Sequence, residues 1–209
     1  MKFLTEEQEK LIPFYVEKWQ EYIYSQKKTD MLTIENSIEE AYSVMEYECP
    51  EIIFANDLKT ALNNIIDRGY YQIHSDIKYR MCHEIWKQTS GQLSQDIIRK
   101  VRCYNENLYH LSVEYKSKLF FQAYQQITTS LSHRQKTVLA RLQLNTLPEK
   151  WAIYGSQSDF CISVLNCEYH LQKWKIFKAL INCCGLIFCL PSLKKNVYFK
   201  ETVIVVKNL

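Results

Sequence analysis

Cysteine, histidine and aspartate gather in one stretch. Five of the eight cysteines are Cys161, Cys167, Cys183, Cys184 and Cys189, with His170 among them and Asp159 just ahead. Two chemistries could use such a set. Cys167 or Ser163 with His170 and Asp159 would make a nucleophile, a base and an orienting acid, because imidazole lowers a thiol pKa and carries its proton. Cys167, His170, Cys184 and Cys189 offer the donor types that zinc takes. The spacing favours neither. Zinc sites use close ligand pairs at both ends; Cys167 and His170 form one tight pair, but Cys184 and Cys189 are loosely spaced. No nucleophile elbow or cysteine-protease box surrounds Cys167. Cys161 and Cys167 lie in an apolar run, where a thiol behaves as a small hydrophobe. The competing expectation is therefore buried thiols, a helix-capping Asp159 and a surface His170, with no metal and no cofactor.

A second set mixes bases with aromatics: Lys78-Tyr79-Arg80, then Arg99-Lys100-Val101-Arg102-Cys103-Tyr104, then Lys116 and Lys118 beside Tyr115 and Phe120. Stacking plus phosphate neutralisation over residues 78–118 would suit a single-stranded nucleic acid. Long cationic side chains also lie over aromatic surface on ordinary helices. No recognised nucleic-acid-binding signature accompanies them. The other histidines stand singly, and His83-Glu84 lacks the second histidine of a zinc-protease helix. The glutamates Glu35, Glu39, Glu40 and Glu46 form a solvated helix face.

The elements that must position these residues follow from what the chain lacks. Only 4 of 209 residues are glycine and 4 are proline. Clustered glycines for phosphate loops are absent, as are the many turns of an all-β fold. The expected class is α+β, predominantly helical, with short strands near 51–55, 186–190 and 197–206. Thr5 and Gln8 form a capping box. Leu11, Tyr15, Trp19, Tyr22 and Ile23 follow helical spacing, with Pro13 predicting a kink or restart. Ile34, Ile38, Ala41, Tyr42 and Met45 share a face of a second helix. Asn56 or Asp57 caps a third, with Leu58, Ala61, Leu62, Ile65 and Ile66 inward. Ile77, Met81 and Ile85 step by four, with a break near Gly91. Ser158 or Asp159 is expected to cap a helix running to Asn166. Trp174, Phe177, Leu180 and Ile181 face inward on a helix over 173–182.

Three regions emerge: an acidic helical part (1–69), a helical, repeat-like middle (70–147) and a Cys-rich end (148–209). The net charge of +3 is unevenly spread. Residues 1–60 carry 6 basic and 13 acidic side chains, and every later part is net basic. Such asymmetry suits either a charged partner or attraction within the fold. The start runs quickly into Glu6, Glu7 and Glu9, and the apolar run 179–190 is too short to span a bilayer. A cytoplasmic protein with reduced thiols is expected, off the membrane.

One resemblance is carried by particular strings. Leu4-Thr5-Glu6-Glu7-Gln8-Glu9 through Pro13, Tyr15 and Trp19, then Pro50 to Phe54, then Trp151, Gly155-Ser156 and Asp159 to Cys167, then Lys173-Trp174, Cys184-Gly185 and Ile187-Phe188 resemble an uncharacterised bacterial family. Many of its members are cyanobacterial, and it is known only as a domain of unknown function. Gln92-Leu93, Gln126-Ile127 and Gln143-Leu144 resemble the remains of its variable Gln-Leu-rich middle repeat. This chain departs from it at Glu168 to Leu171, where members tend to have His-Asp-Pro, and at Leu186, where they have Trp. The likeness stops at Phe188, and the chain looks truncated relative to the family, as a shifted reading frame would leave it. The resemblance implies a fold relative and no assigned site. The function expected is a non-enzymatic interaction or regulatory protein, with a protein partner or self-association ahead of nucleic acid.

Overall fold

A computed structural model describes residues 3–24, 29–68, 76–104, 131–138, 148–183, 186–190 and 201–206. Its elements run α1 (Glu6–Tyr24), α2 (Met31–Val44), β1 (Glu51–Ala55), α3 (Leu58–Asp67), α4 (Ile77–Ser90), α5 (Gln95–Tyr104), α6 (Pro148–Ser163), α7 (Leu171–Cys183), β2 (Leu186–Leu190) and β3 (Thr202–Val206). Residues 133–138 add a helical segment. The class is α+β and predominantly helical.

Local chemistry sets several boundaries. Thr5 and Gln8 make the reciprocal capping box at 3.0 and 3.2 Å. Asp30, Asp57 and Asp76 accept from the first-turn amides of α2, α3 and α4. Pro13 does not divide α1. Its ring points outward, so the carbonyl it leaves without a partner can meet water.

β3 is the centre of a three-stranded sheet, parallel to β1 and antiparallel to β2. Every residue of β3 is buried, and its alternation divides the interior. Val203 and Val205, with Ile187 and Cys189, face a core built by α1, α2, α4, α6 and α7. Ile204 and Val206, with Phe188 and Leu190, face α3 and Leu131. β1 is an edge strand and only half-buried over Ile52–Phe54. The first and last parts of the chain thus share one sheet. Residues 202–206, beyond the reach of the family resemblance, supply its middle strand. No described helix is long and apolar enough to cross a membrane.

Candidate functional site

Asp159 does not cap a helix. α6 begins at Pro148 and ends at Ser163, so Ser158 and Asp159 lie inside it. Local preference for a cap is overridden by partners on α1. Asp159 Oδ2 accepts from Trp19 Nε1 at 3.0 Å and from Lys18 Nζ at 2.7 Å, and Oδ1 accepts from Ser163 Oγ at 3.2 Å. One turn earlier, Gly155 lets the two helices touch. A Cβ there would sit 2.1 Å from the Trp19 ring. Trp19 is fully buried, stacks on Phe177 at 5.6 Å and meets Trp151 and Trp174. Gly155, Asp159 and Ser163 recur every four residues on one helical face, and together they seat α1.

His170 and Cys167 are also engaged. His170 Nδ1 accepts from the Lys173 amide at 3.2 Å, capping α7, while the His170 amide donates to Gln88 Oε1 at 2.9 Å. Gln92 makes two bonds to the backbone of Glu168, at 2.7 and 2.8 Å. Gln88 of α4 and Gln92 just beyond it therefore fasten the 167–170 connection. Cys167 is buried, its amide bonded to the Cys161 carbonyl at 3.0 Å. Cys189 is buried under Tyr42, and burial pushes its thiol up to about 11. Cys184 lies outside the described residues. Among the described residues, no three histidine, cysteine or acidic side chains converge as a metal would require.

The basic set divides. Lys78 is buried, 3.6 Å from Asp76 and over the Trp151 ring. Arg80 turns inward and holds Glu201 through Nη2–Oε2 at 2.7 Å and Nη1–Oε1 at 3.4 Å. Both are corrections to the nucleic-acid expectation, because alternating basic and aromatic letters look alike on an inward and an outward face. Lys100 pairs with Glu9. Arg102 lies over Trp86. Arg99 and Arg102 are exposed; Lys116 and Lys118 lie outside the described residues.

Glu201 was not singled out by the sequence. Besides Arg80, it accepts from the Tyr42 hydroxyl. Burial holds that hydroxyl protonated far above the ordinary tyrosine range, helped by Cys189 and Glu201. The cluster ties α2 and α4 to the start of β3. Its partners are 121 and 159 residues from Glu201, so no local spacing could reveal it.

The stripe expected on α1 holds at Trp19 and fails at Leu11. The buried stripe is Ile12, Val16 and Trp19, one position round from the stripe expected through Leu11. Leu11 and Phe14 are left outside, 43% and 56% exposed. Glu7, Glu17 and Glu21 are exposed beside them, at helical spacings that place them around the same surface.

No family model, curated protein or solved structure matches this chain.

Proposed function

We propose that the chain is a non-enzymatic interaction protein of the bacterial cytoplasm, and that the outer face of α1 docks a basic amphipathic segment of a partner protein. Leu11 and Phe14, exposed within one turn and rimmed by Glu7, Glu17 and Glu21, carry this reading. The cations on that side are already neutralised: Lys10 pairs with Glu6 at 2.8 Å and Lys18 with Asp159 at 2.7 Å. The remaining field is acidic. An apolar centre with a charged rim is how helical segments are recognised, the apolar part giving affinity and the rim choosing the partner. A two-fold contact with a second copy would set the glutamates against each other, which favours a different protein. Phosphate is repelled for the same reason. The bacterial and cytoplasmic assignment is supported by the family resemblance and by the buried thiols Cys82, Cys161, Cys167 and Cys189, which are not joined in disulfides.

Fluorescence anisotropy with a labelled Lys/Leu amphipathic peptide tests the reading. Saturable binding is expected, weakened by about tenfold or more in Glu7→Gln/Glu17→Gln/Glu21→Gln, and not shared by an acidic peptide of the same pattern. Equal binding of both peptides overturns it. So does a dimer, seen by sedimentation, that dissociates on changing Leu11.

A further inference from the structure

We infer that Cys161 and Cys167 are a dithiol site that small-molecule disulfides oxidise to an intramolecular disulfide, independently of the α1 docking face.

The geometry is set by the end of α6. The helix stops at Ser163, the Val164 amide still bonds to the Phe160 carbonyl at 2.9 Å, and Asn166 turns the chain back with φ at 52°. That left-handed residue lets the Cys167 amide reach the Cys161 carbonyl at 3.0 Å. A direct bond between the two residues' own peptide groups keeps their α-carbons within about 7 Å, the limit for a disulfide without backbone movement. The side chains share one apolar cluster with Phe160, Leu165 and Trp86.

The two thiols are unequal. Contact with Cys167, then burial, pushes the Cys161 thiol far above the ordinary range. The hydrogen bond from Cys161 holds Cys167 below it, against burial. Cys161 is fully buried, whereas Cys167 is 7% exposed and lies between the exposed Asn166 and Glu168. This is the division between an attacking and a resolving thiol. The Cys167 thiolate attacks one sulfur of the small disulfide, forming a mixed disulfide and releasing one small thiolate. Cys161 then loses its proton, attacks the Cys167 sulfur and expels the second. Two protein thiols are oxidised and one small disulfide is reduced to two thiols. Cys82 and Cys189 offer the contrast: both are buried, and burial raises both thiols.

The experiment uses the full chain under native conditions. It is treated with oxidised glutathione, alkylated and digested with trypsin. Cleavage after Lys150 and Lys173 leaves Cys161 and Cys167 as the two cysteines of one peptide. The expected product is that peptide two hydrogens lighter and unalkylated, restored by dithiothreitol, while Cys82 and Cys189 stay reduced. Cys161→Ser should hold glutathione on Cys167. A wild-type peptide that remains alkylated at both cysteines, one that stops at the mixed disulfide, or oxidation of Cys82 and Cys189 at the same rate overturns the inference. The wild-type peptide alone decides it, whether or not the variant folds.

Discussion

α1 is apolar on two sides, and the sides are treated differently. On the inner side, Ile12, Val16 and Trp19 are buried and Trp19 has a dedicated seat. Gly155 clears room for the indole ring, Asp159 receives its N–H and Phe177 stacks on its face. On the outer side, Leu11 and Phe14 stay exposed among glutamates. Equal hydrophobicity in the sequence thus has unequal meaning. The inner side is fitted to this chain's own α6, and the outer side has the composition of a surface fitted to something else.

The largest effect should come from emptying the inner seat. Trp19→Ala should cost about 3–5 kcal/mol in urea denaturation, because it leaves a cavity between α6 and α7 and takes one of the two donors from Asp159 Oδ2. A loss below ~1 kcal/mol would erase the distinction between the two sides. Next, Gly155→Ala should cost about 1–3 kcal/mol through overpacking, despite alanine's better helix propensity. The cost should shrink when Trp19 is also made Phe, since the methyl group then has room. A double-mutant cycle measures that coupling; additive effects would show that Gly155 is not there for Trp19.

Acid should separate the two sides more gently. His83 stacks on Tyr79 and abuts Tyr154 of α6. Burial and then Lys87 hold its pKa below the ordinary value, against the pull of Glu84. The unfolded chain therefore binds this proton more readily. The His83 contribution is present above about pH 6.5 and is lost as pH falls towards the folded value. Stability should decline from pH 7 to pH 5, and His83→Phe should flatten that slope. Peptide binding on the outer side should persist over the same range, because His83 packs against α6. Parallel loss of both would mean the two sides are not independent.

Much of the frame was legible because its causes are local. The Thr5–Gln8 box, the Asp57 cap, the face from Ile34 to Met45 and the strands at 51–55 and 186–190 all follow from neighbouring residues. The site was less legible because its causes are distant. Asp159 has the letter of a cap and the role of an indole acceptor, decided by Trp19 140 positions away. Gly155 stood out only as an isolated glycine; its use depends on which ring crosses it. Lys78 and Arg80 carry the same letters whether they meet phosphate or Asp76 and Glu201. Leu11 fits a helical stripe as well as Ile12 does, and only the packing of α6 chooses between them.

The smallest expected change in stability gives the most direct test of the two-sided helix. Phe14→Ser removes the most exposed apolar side chain among the described residues of α1, whose ring meets Tyr15 rather than Trp19. Peptide anisotropy and urea denaturation on the same sample should show binding weakened about tenfold with stability within about 0.5 kcal/mol of wild type. Unchanged peptide binding would contradict the account, and so would a loss of stability as large as that of Trp19→Ala.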